Sequence, residues 1–300
     1  MQMLRLLLLC TLMLHSSCAG NRDSLPAVVL QTDFGTRDGA VAAMKGVARS
    51  VDPDVDIFDL THEIPAYNTW EAAWRLSQTA AYWPAGTIFV SVVDPGVGTR
   101  RKSVVLRTRS GHYFVGPDNG SFGLVAAQLG VDAVREIDEA VNRRASSQGS
   151  YTFHGRDVYA YTAARLAAGS ISFEQVGNRL GDTVVTIPHV PAHRRGDSLF
   201  GMIPVLDIQY GNVWTNIPDS LVAALGVRYG ETFFLTIHAG PDVRFRGRVP
   251  LKATFGEVAQ GKVLAYYNSL MQLSFAINQG SMADSFGIRS GPGWNVVISR

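Results

Sequence analysis

Cysteine is almost absent from this 300-residue chain: there are two, Cys10 and Cys18, both near the N-terminus. A fold built downstream of them has no internal disulfide and no thiolate metal site, so its chemistry rests on oxygen and nitrogen side chains. An excess of charge of one sign is lacking too. Lys and Arg number 27 and Asp and Glu 25, mostly interspersed, for a net charge of +2. That balance leaves no electrostatic footprint for nucleic acid. Arg143-Arg144 and Arg194-Arg195 are too short to form a binding stripe. No internal repeat is visible by inspection. The apolar run from Leu6 to Leu14 is too short to span a bilayer.

That run has another reading. Arg5 precedes it and the small residues Ser16-Ser17-Cys18-Ala19-Gly20 follow it, the layout of an export signal over residues 1–19. Cleavage after Ala19 leaves a secreted protein, and cleavage before Cys18 leaves a cysteine that can carry a lipid anchor. His15 stands where lipoprotein signals prefer an aliphatic residue. The expected location is exported, either periplasmic or as a membrane-anchored lipoprotein.

From Ala27 onward, apolar runs alternate with helical periodicity. Val28-Leu30 reads as a strand, Asp38 to Val51 as a helix burying Val41, Met44, Val47 and Ala48, and Val55-Leu60 as a second strand. Thr69 to Tyr82 reads as a helix with Thr69 as its N-cap. Further strands over Thr87-Val92, Ser103-Leu106 and His112-Val115, and a helix over Asp157-Ala168, complete a β-α-β alternation. This predicts a three-layer α/β domain with a largely parallel sheet, over residues 25–190. The proline-containing stretch Ile187-Arg195 reads as a linker. Short alternating runs beyond it predict an all-β second domain over residues 198–300.

Two of the strands end in carboxylates. Thr87-Val92 runs into Val93-Asp94-Pro95-Gly96-Val97-Gly98-Thr99-Arg100-Arg101, and Val28-Leu30 runs into Gln31-Thr32-Asp33-Phe34-Gly35. The carboxyl edge of an open α/β sheet is where ligands bind, so one rim can hold both acids. Asp before Gly or Pro also forms ordinary turns.

Those two segments, with Gly116-Pro117-Asp118-Asn119-Gly120, Thr152-Phe153-His154-Gly155-Arg156-Asp157 and Gln209-Tyr210-Gly211-Asn212-Val213-Trp214, resemble the S-adenosylmethionine (SAM) hydroxide adenosyltransferases, relatives of the fluorinases and chlorinases. The resemblance implies a C-terminal β-barrel and hydrolysis of SAM to adenosine and methionine, with no cofactor and no metal. Methionine leaves as a neutral thioether, so the reaction needs no general acid, only an aligned nucleophile in a dry site.

Asp94, Arg101 and His154 occupy the positions of that family's hydrolytic Asp-Arg-His set. A carboxylate can orient and partly deprotonate a water, an imidazole with a pKa near ~6.5 can share the proton, and a permanent guanidinium can hold the carboxylate. An ion pair beside a capping histidine is the structural alternative. By the same resemblance, Asp33 grips the ribose hydroxyls, Tyr67 lies beside the ribose, Phe255 stacks on adenine and Asn212 reads an adenine edge. Asp207 takes the methionine ammonium and Ser269 its carboxylate. Phe255 as β-domain core and Asn212 as a turn residue remain open readings. Leu270 replaces an arginine of the fluorinase-like relatives, which implies a weaker hold on the amino-acid end or one through backbone N–H groups.

The resemblance also implies a homotrimer with a small-molecule substrate bound between subunits. Two other functions stay in view. One is a halide-using, chlorinase-like adenosyltransferase. The charge of Asp94 opposes it, since two like charges ~4 Å apart repel by ~4 kcal/mol at an effective dielectric near 20. The other is a non-catalytic nucleoside-binding lipoprotein, in keeping with an export signal on a chain whose expected substrate is made and used in the cytoplasm. An intact Asp94-Arg101-His154 set argues against it, because a pure binder needs no water-activating group.

Overall fold

The computed structural model describes residues 25–300. The expected signal over residues 1–19, with its candidate anchor Cys18, lies outside the described residues. Six strands form the N-terminal sheet: β1 (Val28–Thr32), β2 (Ile57–Thr61), β3 (Ile88–Val92), β4 (Ser103–Thr108), β5 (Tyr113–Pro117) and β6 (Val131–Glu136). Their order is β2-β1-β3-β5-β4-β6. The β1–β2, β1–β3 and β3–β5 pairings are parallel, whereas β4 runs antiparallel to β5 and β6. Five of the six strands therefore run the same way and β4 alone opposes them, so the sheet is largely parallel with one antiparallel strand. The segment between Thr108 and Tyr113 is too short for a parallel crossover, which needs about a dozen residues, so β4 and β5 close as a hairpin.

Alternate residues of the strands face opposite layers. Val28, Leu30, Val90, Val92 and Val115 pack with Met44 of α1 (Ala40–Val51) and Ala163 of α4 (Tyr161–Ala167). Val29, Phe89, Phe114 and Val104 pack with Leu76 of α2 (Thr69–Thr79) and Val125 of α3 (Gly123–Leu129). Helix α2 is capped by Asn68, not by Thr69: the Asn68 side chain accepts from the Glu71 N–H at 3.0 Å. Asn68 leaves the helical conformation, so its side-chain Oδ1 is the atom that reaches the otherwise unpaired Glu71 N–H of the first turn.

The C-terminal strands are β7 (His193–Arg195), β8 (Ser198–Met202), β9 (Leu206–Asp207), β10 (Asn212–Pro218), β11 (Thr232–Ala239), β12 (Asp242–Pro250), β13 (Val263–Tyr267), β14 (Gln272–Ile277) and β15 (Trp294–Ser299). They fall into two antiparallel sheets, β13-β14-β10-β9 and β12-β11-β15-β8-β7. Leu199, Phe233, Leu235, Val296 and Ile298 of one sheet share a core with Val213, Ile217, Leu273 and Phe275 of the other. Among the described residues the ladders form two sheets and not one closed barrel. A single isolated bridge, Leu251 to Ala265, joins them.

Trp70 and Trp74 of α2 tie the two halves together. They pack on Met202, Val205 and Trp214, and the Trp70 indole N–H donates to the Pro204 carbonyl at 2.9 Å. Arg75 reaches the Leu206 carbonyl at 3.1 Å. These contacts hold β9, and with it Asp207, against the N-terminal sheet's helical layer.

Candidate active site

Strands β1 and β3 are neighbours in register, with Thr32 opposite Val92. Asp33 and Asp94 therefore leave the sheet side by side at its carboxyl edge. Both line a cavity of about 290 Å³ together with Phe34, Tyr67, Phe153 and His154.

After Asp94 the chain turns back on itself, so that Arg101 returns to the acid. Thr99 Oγ1 donates to the Gly96 carbonyl at 2.7 Å, and Gly98 takes a positive φ of 77°, where a glycine is favoured. Arg101 Nε then donates to both Asp94 oxygens at 2.9 Å, Nη2 donates to Oδ2, and the Gly96 N–H adds a bond to Oδ1 at 3.2 Å. The Asp94 and Arg101 side chains are only 5% and 12% exposed. Burial alone pulls the Arg101 pKa down, but the hydrogen bonds and charge of Asp94 outweigh it and hold the guanidinium above its ordinary value.

His154 precedes a π-helical turn, Gly155–Ala160, a device that recurs at functional sites. At Gly155 a β-carbon would stand 3.1 Å from Val92 Cγ1, so glycine lets the turn press against the end of β3. His154 is buried, its Nδ1 lies 3.3 Å from Arg101 Nη2, and its Nε2 lies 3.0 Å from Arg143 Nη2. Burial lowers its pKa, and the Arg143 and Arg101 charges lower it further against the opposing pull of Glu139 and Asp94. The imidazole is thus held neutral beside an intact ion pair.

Four side chains that sequence reasoning passed over complete this cluster. Arg101 Nη1 donates to Ser103 Oγ at 2.9 Å, which lies 3.1 Å from the Tyr159 hydroxyl and donates to Glu139 at 3.4 Å. Glu139 pairs with Arg143, and Arg143 reaches His154. Complete burial raises the Tyr159 pKa well above that of an ordinary phenol. Glu139 and Arg143 lie in a turn and not on a helix, so their i, i+4 spacing carried no signal in the sequence. Arg156 and Asp157 form a salt bridge, with two contacts of 2.8 Å.

Asp33 is steadied from two sides. The Tyr67 backbone N–H donates to its Oδ2 at 2.9 Å, although Tyr67 must adopt φ 66° to do so. Behind it, Thr32 Oγ1 lies 2.9 Å from His62 Nδ1 and accepts the Phe34 N–H at 3.2 Å, while His62 Nε2 lies 2.9 Å from Asp59.

The remaining candidates gather elsewhere. Asp207, Asn212, Phe255 and Ser269 line a second cavity of about 890 Å³, which shares no lining residue with the first. Asn212 Nδ2 donates to Asp207 Oδ2 at 3.1 Å, and the Phe255 ring lies 4.9 Å from that of Tyr266, whose pKa burial pushes up to about 12. Asn212 is a buried strand residue, and Phe255 is 37% exposed at the cavity and no part of the core. The Leu270 N–H is already bound to Asn268 Oδ1 at 2.9 Å, so it is not free to replace the missing arginine. Among the described residues, no group of three or more His, Cys, Asp or Glu is placed to hold a metal ion.

Fold and site together define an α/β protein with a carboxylate-lined ligand cavity at the carboxyl edge of its sheet and a guanidinium-held acid beside a neutral imidazole. Residues 28–177 match the SAM hydroxide adenosyltransferase N-terminal domain, and residues 201–295 match the SAM hydroxide adenosyltransferase C-terminal domain. The chain belongs to the SAM hydroxide adenosyltransferase family.

An (R)-S-adenosyl-L-methionine hydrolase of Salinispora tropica is 35% identical over 89% of this chain and 95% of its own length. A fluorinase of Actinopolyspora mzabensis is 29% identical over 92% of this chain and 98% of its own. A solved structure of an uncharacterized conserved protein from Thermotoga maritima superposes with a TM-score of 0.83 at 32% identity, covering 91% of this chain and 100% of that one.

These relatives correct the expected location. The relatives that this chain matches are named as hydrolases of SAM, whose supply is cytoplasmic, and that runs against an exported location. The exported, periplasmic or lipid-anchored assignment is withdrawn.

Proposed function

We infer that this protein hydrolyses SAM to adenosine and L-methionine. Water attacks ribose C5′ in line with the C–S bond: the O–C5′ bond forms, the C5′–S bond breaks, and its electron pair stays on sulfur as methionine's neutral thioether. The attacking water gives up a proton within the Asp94–His154 pair, and Arg101 keeps Asp94 oriented throughout. The observation that carries this reading is that Asp94 and His154 line one cavity with Asp33 while Arg101 contacts both of them from behind. The names of the hydrolase relatives support it. Asp33 binds the ribose diol and Tyr67 flanks it. Phe255 and Asn212 take adenine, and Asp207 and Ser269 take the amino-acid end. SAM is the substrate and no further cofactor takes part.

The cavity around Asp94 lies at the small end of the ~300–1,000 Å³ range of ligand pockets, and the second cavity is lined by other residues. Both must meet for one substrate to touch all the assigned groups, which supports a homotrimer with each site between the N-terminal half of one subunit and the C-terminal half of the next. The same reading divides the chain into domains at residues 25–190 and 198–300. It treats the two C-terminal sheets, bridged at Leu251 and Ala265, as one barrel-like unit.

Purified protein incubated with SAM, with and without chloride, releases adenosine at the same rate in both. Mixing Asp94→Ala with Phe255→Ala subunits restores activity that neither has alone. No adenosine release overturns the hydrolytic reading, and sedimentation as an active monomer overturns the shared site.

A further inference from the structure

His154 stands between two guanidinium groups, and only one can be its hydrogen-bond donor. Guanidinium offers N–H groups and no acceptor, while a neutral imidazole has one N–H and one acceptor nitrogen. One arginine therefore finds the lone pair of the ring, and the other meets its N–H. A protonated ring would face N–H groups on both sides.

The geometry separates the two. The Arg143 contact to Nε2, at 3.0 Å, is the shorter of the two, and the Arg101 contact to Nδ1, at 3.3 Å, is the longer. Arg101 is drawn the other way by Asp94 and Ser103. Arg143 is clamped for its task. Its side chain is 6% exposed, Nη2 pairs with Glu139, and Nη1 donates to the Ser150 carbonyl at 3.0 Å. A guanidinium fixed at both ends aims its remaining N–H in one direction.

We propose that Arg143, held by Glu139, is a positioning residue that fixes His154 as the Nδ1–H tautomer, so that the ring nitrogen on the Asp94–Arg101 side is a hydrogen-bond donor and not a base. The catalytic consequence rests on the hydrolytic reading above; the tautomer does not. Asp94 then accepts the proton of the water, and His154 donates its N–H to the oxygen as hydroxide character develops and the bond to C5′ forms. The Asp-Arg-His set thereby acquires distinct roles. The charged and titratable groups around the ring are Asp94, Arg101, Glu139, Arg143 and, edge-on at 6.3 Å, Tyr159.

Nitrogen-15 NMR of the histidine rings in the full chain at neutral pH tests the tautomer directly, with His154→Gln assigning the signal. The expected spectrum shows a protonated Nδ1 and an unprotonated Nε2. In Arg143→Met the lone pair at Nε2 loses its donor, so the Nε2–H form gains population and the acid limb of the pH–rate profile moves up. The turnover number kcat then falls by about tenfold or more, bounded by the ~10⁴-fold cost of a wrong tautomer in a serine-protease triad, while KM stays within about twofold. Arg143→Lys restores the donor, and with it the tautomer and most of kcat. Glu139→Gln, a milder change, shifts the same signals partway and serves if Arg143→Met does not fold. A wild-type Nε2–H signal, or an unchanged tautomer in both Arg143→Met and Glu139→Gln, overturns the proposal. If the wild type shows the Nδ1–H signal but releases no adenosine, the positioning stands and the hydrolytic reading falls.

Discussion

Asp94→Asn keeps the shape of the side chain and removes its charge. In the wild type, Arg101 Nε donates to both Asp94 oxygens at 2.9 Å, and the two side chains are 5% and 12% exposed. Breaking so buried a pair leaves the guanidinium uncompensated at a cost of about 3–5 kcal/mol. The asparagine oxygen still accepts one bond, which puts the expected loss near the lower figure. Against the ~5–15 kcal/mol that holds a typical domain together, the variant stays folded. Loss of the proton acceptor costs about 10²–10⁴-fold in turnover, or about 3–5 kcal/mol of barrier at ~1.4 kcal/mol per decade. Adenosine release at saturating SAM, measured beside urea unfolding of the same preparations, reads both quantities. A variant whose kcat lies within about tenfold of wild type, with only its urea midpoint lowered, would refute the catalytic role and leave Asp94–Arg101 as a structural pair.

Other outcomes follow from the same contacts. His154 has a lowered pKa, from burial first and then from Arg143 and Arg101. Between that value and ~6.5 the unfolded chain binds a proton that the native protein does not. Its contribution to stability is complete above ~6.5 and is lost as pH falls through the native value, so urea midpoints drop on acidification, and drop less in His154→Gln. In Asp33→Ala the loss of charge-assisted bonds, each about 1.5–3 kcal/mol, raises KM by about tenfold or more with a smaller change in kcat, as initial-rate kinetics will show. Trp70→Ala removes the buried indole at the junction of the two halves together with its bond to Pro204. Calorimetry or urea unfolding should register about 3–5 kcal/mol of lost stability.

The rim acids were legible because each ends an apolar run at a turn, and strand ends are where an α/β sheet meets its ligand. Arg101 and His154 were legible only through the family's motifs, since nothing in a spacing of 53 residues says that a loop and a π-turn converge. In the sequence, Arg143 registered only as half of an Arg143-Arg144 pair too short to form a binding stripe. Its burial is created by the fold, where the 139–143 segment closes over His154, and no local pattern encodes that. The antiparallel course of β4 was written in the short connection after Thr108. The cap on α2 was missed by one residue, because Asn68 and Thr69 are both good capping residues and the backbone geometry of the turn chooses between them. The two antiparallel C-terminal sheets were legible as short alternating runs. How such strands close depends on pairings between residues far apart in sequence.

Tyr67 joins two demands that no other position in the cavity combines. Its backbone N–H holds Asp33 in the left-handed conformation, while its ring stays 71% exposed above the cavity. Such a conformation costs a bulky residue about 1–3 kcal/mol, and glycine or asparagine would relieve it without disturbing the N–H. On the proposed ribose contact, Tyr67→Gly would therefore gain stability and take away the ring beside the substrate. Durability and turnover therefore pull in opposite directions at this one residue.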